Sequence, residues 1–241
     1  MADFSSADTV DVYSGYLDIP DTTKSLHYVF VESAQDPAND PVVLWFNGGP
    51  GCSSMLAWMQ EHGPYVMDDG ETTFKQNDYS WNKFANMLYL EAPAGIGFSY
   101  CDSKDHPEDC KSDDWAQSVD NLIALQEWFV RFPDFKANKL YLSGESYAGI
   151  YVPYLLWQID MFNNDAATKA DDKINLTGIM VGNGVTNWKY DTMPATVNMG
   201  YWRSLVSQTL HDKIEAEQCD YSLIEFGQNA TESCMGYLDE I

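Results

Sequence analysis

Positive charge is what this sequence has least of: Lys and Arg total 13 against 37 Asp and Glu over 241 residues, a formal charge of -24. That balance excludes binding to a phosphate backbone, so nucleic acid is not an expected partner. So acidic a surface repels itself at neutral pH and relaxes as carboxylates protonate, which suits a lysosome or vacuole; plain solubility explains it equally well. Long apolar runs are also missing. The best candidates are short pieces such as Val42–Phe46, far below the ~18 residues of a membrane helix, so no membrane partner is expected. Residues 1–10 have neither the basic n-region nor the apolar h-region of a secretory signal, and such a segment is expected to be processed away or to lie outside this sequence. Four histidines, His27, His62, His106 and His211, fall at no ligand spacing and no Cys-x-x-Cys occurs, so neither a metal nor another cofactor is expected.

Apolar material is plentiful: 45% of residues are hydrophobic and 14% aromatic, enough to bury a core. Residues 12–19 and 26–32 alternate around a polar turn and predict an antiparallel hairpin at a sheet edge. Continuous apolar runs at 41–46, 87–90, 139–143 and 174–182 predict strands buried on both faces. Helical periods lie between the last three. Asp113 or Asp114 caps a helix over 115–130, whose apolar face is Val119, Leu122, Leu125, Trp128 and Phe129 and which ends before Pro133; 147–162 forms another. The alternation predicts an α/β fold with a mostly parallel, doubly wound sheet. After Gly184 strand signals stop and a helix over 201–217 is expected, so the chain divides into a sheet unit, 1–184, and the start of a helical excursion, 185–241.

The stretch Leu140-Tyr141-Leu142-Ser143-Gly144-Glu145-Ser146-Tyr147-Ala148-Gly149 runs from a strand through a small-residue turn into a helix. That is the setting of a nucleophile elbow. A serine at the tip of a sharp turn presents its hydroxyl, Gly144 and Ala148 let the strained backbone pass, and the helix start aims N–H groups at developing negative charge. Alanine at 148, where the general pattern has glycine, is a mild departure, and an ordinary strand–helix turn containing a serine is the competing explanation. A second motif, Asn47-Gly48-Gly49-Pro50-Gly51-Cys52-Ser53-Ser54, follows a buried strand. Pro50 has no donor, so the N–H groups of Gly49 and Tyr147 are the candidates for an oxyanion hole, although glycines here also suit a tight turn.

These two motifs, extended back to Trp45, together with Glu91-Ala92-Pro93-Ala94-Gly95-Ile96-Gly97-Phe98-Ser99-Tyr100 and Val181-Gly182-Asn183-Gly184, resemble the signatures of serine carboxypeptidases. The similarity runs from the hairpin to about Gly184 and weakens after Trp188. It implies an α/β-hydrolase fold, incomplete in this chain, with the start of a helical cap after 184. It implies release of C-terminal amino acids from peptides through an acyl-enzyme on Ser146, with Gly49 and Tyr147 as oxyanion donors. It also implies that Asn47, Gly48, Glu61 and Glu145 bind the terminal carboxylate of the substrate. Two carboxyls facing an anion make chemical sense if they share a proton, so binding is expected to favour acid pH. Taken alone, Glu61 reads as a solvated surface carboxylate, and Trp58, Met59, Tyr65 and Tyr147 are core residues as readily as pocket residues.

A hydrolase of this fold takes its acid and base after the nucleophile, in the order Ser, Asp, His. His211 is the one histidine after Ser146, and it lies in a helical stretch, so the matching Asp and His are expected beyond Ile241, on a missing C-terminal half or a second chain. Cys101 with Cys110, and Cys219 with Cys234, bracket short polar loops and can close locally. Cys52 is left over; the family's matching cysteine is bonded far downstream, which implies a disulfide partner outside this chain. Of two glycosylation sequons, Asn175-Leu176-Thr177 lies in a strand-like run and Asn229-Ala230-Thr231 among polar residues, making Asn229 the better acceptor. The secretory pathway, ending in a lysosome, vacuole or the extracellular space, is the expected location. Two rivals stand beside hydrolysis: acyl transfer to an alcohol, and a catalytically inert binding or protective protein of the same fold.

Overall fold

In the computed structural model, which describes residues 10–226, 228 and 230–241, the alternating start of the chain forms a hairpin. Its strands, β1 (Val12–Asp18) and β2 (Ser25–Val31), are antiparallel, with Val12 opposite Val31. β1 is the outer strand and buries only Leu17, whereas β2 is buried along its whole length because a further strand pairs on its other side. Next come β3 (Val42–Phe46), a small ribbon of β4 (Tyr65–Val66) and β5 (Lys75–Gln76), then β6 (Asn86–Leu90), β7 (Leu140–Glu145) and β8 (Leu176–Gly182). The main sheet has the order β1-β2-β6-β3-β7-β8. β2 meets β6 antiparallel, and the pairs β6/β3, β3/β7 and β7/β8 are parallel.

Alternate residues of the inner strands feed two cores, which is why their sequences read as unbroken apolar runs. Phe30, Leu44, Phe46, Leu88, Leu90 and Leu142 face the helices α1 (Asp114–Arg131) and α2 (Ala148–Asn164), meeting Leu125, Trp128, Val152 and Leu155. Val31, Val43, Trp45, Met87 and Tyr89 form the opposite core with Met55 and Ala57, at the start of a π-helical turn over Ala57–Glu61.

α1 begins at Asp113, whose carboxylate accepts the Ala116 N–H at 2.7 Å. Its inner face is more polar than its periodicity predicts. Leu125, Trp128 and Phe129 are buried, but so are Gln117, Ser118, Asp120 and Asn121, while Val119 and Leu122 are only half-buried. Neighbours compensate two of them: Lys24 pairs with Asp120 at 2.7 Å and the Gln158 amide donates to Ser118 at 2.9 Å, whereas the buried Asn121 amide has no hydrogen-bond partner among the described residues. No described helix is long and apolar enough to cross a membrane.

The chain divides into two compact units at Gly184/Val185. The second contains α3 (Met193–Trp202), α4 (Gln208–Ala216) and α5 (Glu232–Leu238), with a core of Val197, Val206, Leu210, Ile214, Tyr221 and Cys234. The single helix expected over 201–217 is therefore corrected to two pieces. Ser204 adopts φ +61°, the amides of Leu205 and Val206 turn back to the Gly200 carbonyl at 2.8 and 3.1 Å, and the Ser207 hydroxyl caps α4 by accepting the Leu210 N–H. Disulfides join Cys101 to Cys110 and Cys219 to Cys234. Asn229 lies outside the described residues. The Asn175 side-chain amide donates to the carbonyls of Ala137 and Asn138 at 3.0 and 3.2 Å.

Candidate active site

β7 ends at Glu145 and α2 starts at Ala148, leaving Ser146 and Tyr147 to make the whole turn. Ser146 takes φ +57°, a left-handed conformation that costs a residue with a β-carbon roughly 1–2 kcal/mol. Three hydrogen bonds hold it there. Ser146 N–H donates to Gly182 O at 3.0 Å, and Gly149 and Ile150 N–H donate to the carbonyls of Ser146 and Tyr147 at 3.0 and 2.9 Å. The serine side chain stays exposed. Space beneath the turn is minimal: a β-carbon on Gly144 would lie 2.5 Å from both the Ala148 methyl and the Phe46 carbonyl oxygen. Alanine at 148 fits because Gly144 leaves room for it.

The glycine loop comes against this turn from the neighbouring strand. A β-carbon on Gly48 would lie 2.4 Å from the Tyr147 nitrogen and 2.8 Å from Ser146 Cβ, so only bare backbone passes there. Gly49 follows at φ +112°. The loop is tied down by Cys52 N–H to Gly48 O at 3.0 Å, Gly51 N–H to the Tyr151 hydroxyl at 3.2 Å, and Ser54 Oγ to Leu90 O at 2.7 Å. The Tyr147 hydroxyl donates to Asp114 at 3.2 Å.

Asn47 connects the loop to two carboxyls. Its Oδ1 accepts from Trp45 Nε1 at 3.0 Å and from the Ala57 N–H at 3.2 Å, which fixes the amide so that Nδ2 must face the other way. Nδ2 donates to Glu61 Oε1 at 3.1 Å and Glu145 Oε1 at 3.0 Å. Glu61 is an exposed residue, yet the protein packed against its carboxyl pushes that group above the ordinary range; the Asn47 amide pulls it part of the way back and the nearby charge of Glu145 pushes it up again. Asn47, Gly48, Glu61, Glu145 and Ser146 are thus gathered at one end of β3 and β7. Trp45 was not among the residues singled out from sequence. Its signal is there in retrospect, since residues two apart on a strand share a face and Asn47 lies two beyond it.

Other candidates resolve into packing. His62 is stacked on Trp81 with ring centroids 4.4 Å apart, stands edge-on to Trp45 at 4.3 Å, and has Nδ1 3.1 Å from the Tyr89 hydroxyl; burial pushes its pKa down to about 4. His27 Nδ1 faces Glu91 at 2.9 Å. His211 stacks on Tyr201 at 3.8 Å within the second unit. Trp58 and Met59 are half-buried against the core beside Trp45, and Tyr65 is half-buried in β4. Cys52 is exposed and unpaired among the described residues.

A serine held left-handed between a parallel strand and a helix, with a glycine loop pressed against it from the adjacent strand, defines an α/β-hydrolase. The solved structure of Kex1, a prohormone-processing carboxypeptidase from Saccharomyces cerevisiae, has the same fold: TM-score 0.76 at 24% identity, over 96% of this chain and 52% of that one. The chain belongs to the serine carboxypeptidase family, whose sequence profile matches residues 4–241. It is 40% identical over 229 residues to the lysosomal protective protein of Mus musculus, covering 95% of this chain and 45% of the relative. It is also 40% identical over 234 residues to serine carboxypeptidase-like 35 of Arabidopsis thaliana, covering 94% and 47%. The chain thus spans somewhat under half the length of these relatives.

Because Gly48 leaves no room for a methyl group, Gly48→Ala is expected to force the loop off the elbow at a cost of about 1–3 kcal/mol in urea unfolding. A variant as stable as the wild type would show that the two segments do not press together as described.

Proposed function

We propose that this protein is a serine-type carboxypeptidase in which Ser146 attacks the last peptide carbonyl of a peptide or protein. The single observation that carries the proposal is the pairing of an exposed left-handed serine with two carboxyls joined by one amide, that of Glu145 directly before it in the chain and that of Glu61 brought in through Asn47. A nucleophile alone defines a hydrolase; a receptor for an anion beside it restricts the substrate to a chain end. The N–H groups of Gly49 and Tyr147 hold the oxyanion. One Asn47 N–H, turned from a carboxyl to the substrate, the Gly48 N–H and the protonated member of the Glu61/Glu145 pair hold the terminal carboxylate. The C-terminal amino acid departs, leaving an ester on Ser146 that water hydrolyses.

Ser146 needs a base. His27 is committed to Glu91, His62 is wedged among aromatic rings, His106 is exposed in the loop closed by the Cys101–Cys110 disulfide, and His211 is stacked on Tyr201. The proposal therefore assigns the catalytic Asp and His to chain outside residues 1–241, either a C-terminal half or a second polypeptide, with residues 185–241 beginning a helical cap. Two features favour such a partner. β8, an outer strand of the sheet, leaves Ile179 and Met180 about two-fifths exposed, at 42% and 41%. Cys52, in the loop that the elbow depends on, is exposed and is proposed to bond to a cysteine of that partner. Two disulfides, the formal charge of -24 and the likeness to a lysosomal relative favour the secretory pathway, with a lysosome, vacuole or the extracellular space as destination.

Treating the unreduced full-length protein with a fluorophosphonate and mapping its peptides tests both parts. The expected map has the phosphonate on Ser146 and Cys52 joined to a cysteine outside residues 1–241. A label elsewhere sinks the nucleophile assignment, and Cys52 found free sinks the crosslink. The pH dependence follows from Glu61. Its raised pKa keeps it protonated further up the pH scale than an ordinary carboxyl, and only the protonated form donates to a substrate carboxylate. As pH rises through that raised pKa the donor becomes a repelling charge, so KM is expected to rise. A KM that is flat across this range, or a rise that persists unchanged in Glu61→Gln, contradicts the assignment.

A further inference from the structure

Glycines at 48, 49 and 51 let the loop pass close to Ser146, but they also leave it without side chains to hold its course, so its ends must be fixed from outside. The Asn47 end is fixed by Trp45 and Ala57. At the other end Gly51 and Ser54 are tied to Tyr151 and Leu90, and Ser53 between them leads to Glu91, which directly follows β6 and has no exposed surface. Three segments of chain converge on this one carboxylate. The Ser53 hydroxyl donates to Oε1, the Phe98 N–H donates to Oε2 at 2.8 Å, and His27 Nδ1 on β2 lies 2.9 Å from Oε2.

The surroundings are built around the carboxylate. A β-carbon on Gly97, which takes φ +57°, would fall 1.8 Å from Oε1, so the 95–99 turn closes over the group only because that residue is glycine. The Ser99 hydroxyl donates to Glu91 O at 2.6 Å and accepts from His27 N–H at 2.8 Å, locking the turn to β2. Burial pushes the Glu91 carboxyl up, but hydrogen bonds from His27, Ser53 and the Phe98 N–H outweigh it and hold it below the ordinary range. An ionised carboxylate only accepts, so the Ser53 proton must point at it, and the hydroxyl oxygen is left to accept the Met55 N–H at 3.1 Å. Ser53 is thereby fixed in both position and direction, on the far side of the turn that Cys52 N–H closes on Gly48 O.

We propose that Glu91 is a positioning residue for the oxyanion hole: through Ser53 its carboxylate holds the glycine loop so that the Gly49 N–H stays aimed beside Ser146. The proposal rests on the carboxypeptidase assignment above. A residue acting this way changes chiefly transition-state stabilisation: of the terminal carboxylate receptor, Asn47, Glu61 and Glu145 are anchored separately and only the Gly48 N–H shares the loop.

The test uses the full-length protein with Glu91→Gln, in which the amide nitrogen must oppose one of the donors, and Ser53→Ala, which removes the link between Glu91 and the loop together with the acceptor of the Met55 N–H. In each, kcat for peptide hydrolysis is expected to fall at least about tenfold, as for a displaced oxyanion donor, with KM within about twofold of wild type. A peptide aldehyde, which forms the tetrahedral adduct, should lose affinity by the same factor. The double variant should be no worse than Glu91→Gln alone, because both substitutions break one link. Unchanged kcat in Ser53→Ala, a rise in KM with kcat preserved, or multiplying effects in the double variant would overturn the proposal, and Ser53→Ala keeps it testable if Glu91→Gln does not fold. Absence of Ser146-dependent turnover in the wild type refutes the carboxypeptidase assignment instead. The anchor is then decided by hydrogen exchange in Ser53→Ala: faster exchange confined to residues 48–54 supports it, and unchanged exchange there overturns it.

Discussion

Two stretches of backbone meet at the end of β3 and β7 at a distance that no side chain can occupy, and the rest of the site depends on that contact. Register produces it. Phe46 lies opposite Gly144 in the parallel ladder, so the residues two further along each strand, Gly48 and Ser146, leave the sheet side by side. Glycine at 144 lets Ala148 and the Phe46 carbonyl close in beneath the turn, and glycine at 48 lets the loop lie against the Tyr147 nitrogen. With both loops leaving adjacent strands in the same direction, a serine hydroxyl, loop amides and the side chains just before them are brought together without any long-range search.

The carboxyls around this contact are tuned in opposite directions by their surroundings. Glu61 is pushed up chiefly by the protein packed against its carboxyl, with one amide donor to offset it. Glu91 is buried more completely, yet three donors bring it below the ordinary range. The difference is one of hydrogen bonds supplied, not of depth, and it separates a group suited to keep a proton from one suited to hold a loop as a fixed charge. In so acidic a chain this local provision of donors matters, since the general field of the protein opposes every carboxylate it ionises.

Much of this was legible in the sequence because the governing patterns are short. Strands buried on both faces announce themselves as apolar runs, the Asp113 cap precedes its helix directly, the elbow is marked by Gly144 just before its serine, and the loop beside it is marked by Gly48, Gly49 and Gly51 directly after a strand. What sequence did not reveal lies in interactions between distant segments. On the polar inner face of α1, Asp120 and Ser118 find their partners, Lys24 and Gln158, in distant parts of the chain. Trp45 reads as core, and it is core, yet its indole N–H also decides which way the Asn47 amide points. Glu91 was visible as part of a motif, but its three partners come from positions 27, 53 and 98, and no local pattern joins them. The break between α3 and α4 was missed because periodicity alone ignores the capping serine at 207.

The central claim is that a nucleophile and a receptor for a free carboxylate stand side by side. Its most direct measurement compares, on the full-length protein, a peptide with a free C-terminus and the same peptide amidated, following released products by mass. The expected result is that the last residue alone is released from the free acid, that the amide is a far poorer substrate, and that Ser146→Ala releases nothing from either. Equal processing of the two peptides, cleavage at internal bonds, or turnover that survives Ser146→Ala would contradict it.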